Sequence, residues 1–207
     1  SHYGIGIRPT EGIFNKKILN NFLKRLKKNG SKFSYRKVKN KSKKVYEANI
    51  TVFDALKKSD YDSNGKFFLE RYVSAHSIMI SFEGIPALYF NSLFGKSNDE
   101  AKYVITGNNR DVNRYKWNYK NISKKLSNKN SKQSIFFQKI SNLLSIRRKQ
   151  KAFHPNASRH NINLGSKIFS FKRISINKKQ TVIQITVCFL LIFNLLKEKI
   201  FEPRFRL

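Results

Sequence analysis

From Phe14 to Lys28 the apolar residues Phe14, Ile18, Leu19, Phe22, Leu23 and Leu26 recur at helical spacing, and Gly30 follows as a stop. Such spacing lays one apolar stripe along a helix and obliges it to bury that face. The pattern returns from Lys66 to Phe82, ended by Gly84, and again from Gln133 to Lys149, where Ile135, Phe136, Ile140, Leu143, Leu144 and Ile146 fall on one side. Directly after the second helix comes Ile85-Pro86-Ala87-Leu88-Tyr89-Phe90, an apolar run bounded by Gly84 and by Asn91-Ser92. A run without alternation suits a strand covered on both faces, so it predicts a buried parallel strand. Helix, short loop and buried strand is the repeating unit of an α/β barrel.

The remaining stretches are punctuated differently. Residues 1–12 carry glycine and proline and read as a loop. Residues 31–44 are polar and basic and predict an exposed loop or a short strand pair. Tyr46 to Ala55 is β-branched and aromatic at first, then turn-like, and Ser63-Asn64-Gly65 is a turn. Residues 93–130 are polar, asparagine-rich and read as irregular. From Asn161 onward short alternating runs such as Ile168-Phe169-Ser170-Phe171 predict strands of a small β domain. The expected organisation is therefore two parts: 1–157, helices and buried strand, and 158–207, a shortened β domain. Val182 to Leu196 is mostly apolar but broken by Gln184, Thr186 and Asn194. It falls short of the roughly 20 apolar residues of a membrane span and reads as buried strand or core helix.

Charge is the most extreme bulk property: 43 Lys+Arg against 12 Asp+Glu, formally +31. One reading is a basic nucleic-acid-binding protein, since lysine and arginine neutralise phosphates. Against a specific nucleic-acid partner, the basic residues are spread along the chain, and Lys, Asn, Ile, Phe and Tyr rise together, as in A/T-rich coding sequence. The single cysteine, Cys188, excludes an internal disulfide and fits a reducing, cytoplasmic setting. The first residues have no signal-peptide pattern. Four scattered histidines and one cysteine give no metal-ligand spacing, and no phosphate-loop or dinucleotide fingerprint is present, so no cofactor is expected.

Residues able to carry chemistry stand on predicted loops: His2 before two glycines, Tyr46-Glu47-Ala48-Asn49, and Asn109-Arg110-Asp111-Val112-Asn113-Arg114. In a barrel, functional groups sit on loops at the C-terminal ends of strands. The planar fork of Arg114 could hold a sugar hydroxyl or a carboxylate. Equally, Arg110 and Arg114 could tie down a long loop through salt bridges.

The string SAHSIMISFEGIPALYFNSLFGKSNDEAKYVITGNNRDVNRYKW (74–117) resembles glycoside hydrolase family 13, specifically its sucrose phosphorylase and glucosylglycerate phosphorylase branch. SHYGIGIRPTEGI, YEANITVFDAL and LLSIRRKQKAFHPNA resemble the same branch in the same order, so the likeness spans about residues 1–175. It implies an α/β fold: the C-terminal part of a (β/α)8 TIM barrel followed by a small, degenerate β domain. It also implies retaining glucosyl transfer, with an aspartate nucleophile and a glutamate acid/base. Both match no residue here and are expected upstream of Ser1, so the chain is expected to be a fragment, inactive alone, with a separately encoded N-terminal half as a partner. Sugar and phosphate are the implied substrates. His2 matches the histidine of a His-Asp pair, while Tyr3 stands where the transition-state aspartate belongs. Tyr46 and Glu47 match a loop lining the acceptor and phosphate subsite, and Arg114 an arginine binding the glucosyl unit. After about Gln180 the family's strand pattern fades, and a frame change near Thr186 would account for it.

Overall fold

The structure is a computed structural model and describes residues 4–38, 43–60, 62–165, 168–187 and 204–206. Its elements are helices and two small sheets, all of whose pairings are antiparallel among the described residues. The chain divides into two compact units, 1–58 with 88–134 and 59–87 with 135–207.

The first unit is built on a three-stranded sheet of β1 (Ile5–Gly6), β2 (Lys32–Lys37) and β3 (Lys43–Asn49), in the order β1-β3-β2. The described residues of the basic stretch 31–44 thus belong mostly to a strand pair. Against this sheet packs α1 (Lys16–Lys28), begun by Asn15, whose side chain accepts from the Ile18 N–H at 2.9 Å. Leu19, Phe22, Leu23 and Leu26 of α1 join Ile5, Ile7, Phe33, Val45, Ala48 and Ile50 in one apolar core. Thr51 caps a short helix, α2 (Val52–Lys57).

The same unit holds a correction. The stretch 93–130, read as irregular, contains α5 (Glu100–Thr106) and α6 (Tyr119–Ser127), besides a 3-10 turn at Asn109–Asn113. The missed signals are local. Asp99 accepts from the Lys102 N–H and Gly107 closes α5 in the left-handed region at φ 65°, while Asn118 accepts from Asn121. Asp or Asn before the helix and Gly after it are the ordinary cap residues.

In the second unit α3 (Phe68–Ser81) and α7 (Lys132–Lys149, from Ile135 onward) match the helical periodicity within two residues. α3 is held at both ends by side chains. At its start the Asp62 carboxylate accepts the N–H groups of Lys66 and Phe67 and pairs with the buried Arg71. Burial alone would raise the Asp62 carboxyl; the Arg71 guanidinium and the two N–H groups outweigh it and hold it below its ordinary value. At the other end Arg147 donates to the carbonyls of Ile80, Phe82 and Gly84. The fully buried Arg173 donates to Ser81 at 2.8 Å, His154 at 2.8 Å and Ala157 at 3.0 Å. The carbonyls of Ile80 to Gly84 lie at and beyond the α3 terminus, where partners inside the helix run out, and Arg173 links that terminus to the segment 154–157. The second sheet, β4 (Ser158–Asn163), β5 (Ile168–Ile174), β6 (Thr181–Val187) and β7 (Arg204–Arg206), is ordered as numbered.

Ile85 to Phe90 is not a buried strand. Ile85 is 85% exposed and Phe90 53% exposed, and the segment leads straight into α4 (Phe90–Leu93). A central strand needs a neighbour about 4.8 Å away on each side, and Pro86 has no N–H to give one. No described strand pairs with the segment. Of the apolar run 182–196, residues 182–187 belong to β6; Cys188 and the rest lie outside the described residues. No described helix is long and apolar enough to cross a membrane.

His76 lies inside α3, 4% exposed, with Nδ1 2.8 Å from the Tyr72 carbonyl and its ring 4.3 Å from the Tyr72 ring. Burial pushes its imidazolium below the ordinary range. The folded chain therefore refuses a proton that the unfolded chain accepts below about pH 6.5. Stability from this group is present above that pH and declines as pH falls below it. Urea unfolding should show a loss between pH 7 and pH 5 that His76→Gln reduces; an identical pH dependence in the variant would contradict this.

Candidate functional site

The candidate site starts from a defect in the β2–β3 ladder. Ser34 pairs with Glu47, but Tyr35 pairs with Val45, leaving Tyr46 as one extra residue on β3. Side chains of a regular strand alternate, so Val45 and Ala48 would point to opposite faces. The bulge restores both to the core, where each packs. Its consequence is that two consecutive residues, Tyr46 and Glu47, stand half-buried at the edge of that core. Bulges re-aim side chains in this way and are common beside functional sites.

β3 is also the strand to which the other candidate segments attach. On one side β1 pairs Ile5 with Ala48 and Gly6 with Glu47, and the Ile7 N–H donates to the Tyr46 carbonyl at 2.9 Å. Gly4 precedes β1 at φ +135°, and a side-chain carbon added there would lie 2.6 Å from the Ala48 carbonyl oxygen. Only glycine fits that approach. His2 and Tyr3, the residues before it, lie outside the described residues. On the inner side Asn49 is fully buried and donates to the Lys32 carbonyl at 3.2 Å and to Ser34 Oγ at 2.8 Å.

The 3-10 turn Asn109–Asn113 lies across the same hairpin. Asn109 Nδ2 donates to the Phe33 carbonyl at 3.0 Å, and Arg110 Nε donates to Glu47 Oε2 at 3.2 Å. The Glu47 charge first, then the Tyr46 side chain, raises the Arg110 guanidinium above its ordinary value. Val112 is fully buried, and its carbonyl accepts from the Asp99 N–H at 2.7 Å. Asp111 is held below the usual carboxylate range by the Thr106 hydroxyl and by Lys102, whose Nζ is 3.0 Å away. Arg114 ends the turn with its N–H on the Asp111 carbonyl and its side chain half-buried.

Of the sequence-chosen residues, then, Tyr46 and Glu47 come together, and the arginine that joins them is Arg110. Arg114 lies four residues further along the same segment. Arg110 does what the loop-tying alternative asked of it. Sequence reasoning missed Asn98, whose side chain accepts from the Thr51 N–H at 2.9 Å and donates to the Gly30 carbonyl at 3.3 Å, while its own N–H reaches Asp54 at 2.6 Å. It also missed Lys96, 3.7 Å over the Tyr115 ring and 5.9 Å from that of Trp117. Neither carries a sequence signal, because each depends on residues far apart in the chain. Among the described residues no cluster of three His, Cys, Asp or Glu could hold a metal ion.

A half-buried carboxylate paired with an arginine, beside a tyrosine, offers hydrogen-bond donors and acceptors to a polar ligand. If Asn109 and Arg110 pin the turn, the double change Asn109→Ala/Arg110→Ala should raise amide exchange at Asp99 by about tenfold. The β2–β3 ladder amides should keep their protection. Unchanged exchange at Asp99 would show that the turn is held by something else.

No protein-family model matches the chain. Over 156 residues it is 31% identical to the glucosylglycerate phosphorylase of Escherichia coli (strain K12), covering 75% of this chain and 28% of that protein. It is 28% identical over 183 residues to the glucosylglycerate phosphorylase of Spirochaeta thermophila, covering 88% of this chain and 31% of the other. Over 127 residues it is 28% identical to the sucrose phosphorylase of Agrobacterium vitis, covering 61% and 23%. The crystal structure of sucrose 6F-phosphate phosphorylase from Thermoanaerobacter thermosaccharolyticum shares its fold over 89% of this chain and 37% of that one, with a TM-score of 0.68 and 21% identity. The chain spans under a third of the length of these curated relatives.

Proposed function

Since the chain is related to the sucrose and glucosylglycerate phosphorylases, the branch of glycoside hydrolase family 13 that its sequence resembles, we propose that it is part of a carbohydrate-active enzyme. It supplies one wall of a retaining glucosyl-transfer site, for a sucrose-type donor with phosphate or water as acceptor, and does not turn over alone. The observation that carries this reading is the bulge at Tyr46. It presents Tyr46 and Glu47 together, with Arg110 on Glu47 and Gly4 against Ala48, all on segments whose sequence resembles the phosphorylase branch. In this reading 1–157 is the end of the catalytic barrel and 158–207 a shortened β domain. A separately encoded N-terminal half would bring the remaining strands, and the whole would work in the cytoplasm.

The proposed chemistry follows from what the residues can supply. Retaining transfer needs one carboxylate to attack the sugar and another group to shuttle a proton. In the family both stand on earlier strands, and the chain offers the acceptor side instead. Tyr46 and Glu47 border the place where phosphate or water would approach, and Arg114 would grip the glucosyl unit with its planar fork. His2 would contact the same ring. Tyr3 is the weak point: it is neutral at pH 7 and cannot offset the positive charge that builds on the sugar in the transition state.

A chimaera tests this. The chain replaces the matching C-terminal portion of the Escherichia coli glucosylglycerate phosphorylase, and phosphorolysis is followed with glucosylglycerate and phosphate. The isolated chain should give no product. The chimaera should be slow, and Tyr3→Asp should raise kcat by about a hundredfold or more. Full turnover by the isolated chain would overturn the proposal. So would a Tyr3→Asp chimaera that binds substrate but gains nothing.

A further inference from the structure

A second surface of the first unit has a different character. α1 carries Lys16, Lys17, Lys24, Arg25, Lys27 and Lys28 and no acidic residue. Its apolar residues Leu19, Phe22, Leu23 and Leu26 face the core, which turns Lys17, Asn20, Asn21, Lys24, Lys27 and Lys28 to solvent. Lys16 and Lys17 occupy the first turn, where the helix dipole favours carboxylates, so this placement works against the helix. Among the described residues, the ion pairs that brace the unit engage Lys32, Arg36, Lys102 and Arg110, not the lysines of α1.

The basic surface continues beyond the helix. Asn29, at the C-terminal cap, donates to the carbonyls of Ala55 at 3.1 Å and Lys58 at 3.2 Å. That ties Lys57-Lys58 next to Lys27 and Lys28. Lys132 lies 3.6 Å over the Phe53 ring, and burial first, then the charge of Lys57, pushes its ammonium below the ordinary value. Asp54, whose charge reaches Lys132, is buried and already accepts the Asn98 N–H.

We propose that Lys24, Lys27, Lys28, Lys58 and Lys132 form a docking surface for the phosphate backbone of a nucleic-acid duplex. Lysines meet phosphate as point charges without the bidentate geometry that reads a base, so the contact is independent of sequence. Asn20 and Asn21, between the lysines, add amide donors for phosphate or sugar oxygens. A membrane would be gripped by apolar side chains beside the cations, and of α1's apolar residues Ile18 alone is exposed. A single strand would be gripped by stacking aromatics, and α1's one aromatic, Phe22, belongs to the core. The surface is independent of the sugar-site proposal, and either can fail alone.

The test is fluorescence anisotropy of the full chain with a labelled duplex of about 20 base pairs across a salt series. The triple variant Lys24→Gln/Lys28→Gln/Lys58→Gln should bind at least tenfold more weakly at low salt. Its log–log salt slope should shrink by about 0.9 per lysine removed. A control of equal charge, Lys149→Gln/Lys151→Gln/Lys179→Gln, should lose less than threefold. Should the triple variant fail to fold, Lys28→Gln alone should lower the slope by about 0.9. Equal losses in patch and control variants would show that binding follows net charge only and would overturn the proposal. Absence of duplex binding at low salt would overturn it too, as would anionic phosphatidylserine vesicles that bind more tightly than the duplex and displace it.

Discussion

The extra residue at Tyr46 is the constraint on which the first unit depends. Without it the strand would alternate regularly, and either Val45 or Ala48 would leave the core. With it both stay in, and Tyr46 and Glu47 emerge side by side at its edge. Three segments meet at that strand: β1 through Ile5 and Gly6, β2 through its ladder and Asn49, and the 3-10 turn through Arg110 on Glu47. A packing requirement and the presentation of two polar side chains are therefore met by one local irregularity.

Charge shapes the rest. With 12 acidic residues against 43 basic ones, carboxylates are scarce, and the structure spends several of them on geometry. Asp62 starts α3, Asp99 starts α5, Asp54 takes the Asn98 N–H, and Glu11, Glu47 and Glu83 each fix an arginine. Arginine is used inside, at Arg71 and Arg173, and half-buried at Arg147, where its fork can satisfy several acceptors at once. Among the described residues no lysine is fully buried, and the solvent face of α1 carries several of them.

Much of the fold was legible because it rests on periodicity. α1, α3 and α7 follow from apolar spacing, and β5 from alternation. What failed was the part that depends on neighbours. Ile85 to Phe90 has the composition of a covered strand, yet no described strand pairs with it and Ile85 stays exposed. α5 and α6 were hidden by their polar composition, although Asp99, Gly107 and Asn118 marked their ends. At the site, Tyr46, Glu47 and Arg114 stand out by residue type, and only their roles come from resemblance. No spacing rule pairs Glu47 with Arg110 across sixty-three residues of chain. Nor does sequence alone foretell the bulge, since one extra residue shows itself only once both strands are paired.

We propose that the bulged edge of β3 and the 3-10 turn across it form a sugar-phosphate surface. Nitrogen-15 NMR of the chain titrated with α-glucose 1-phosphate tests it directly. A sugar-phosphate seated there gives saturable shifts at the amides of Gly6, Glu47, Arg110 and Asn113. Shifts confined to the lysines of α1, or an unmoved β3, would contradict it.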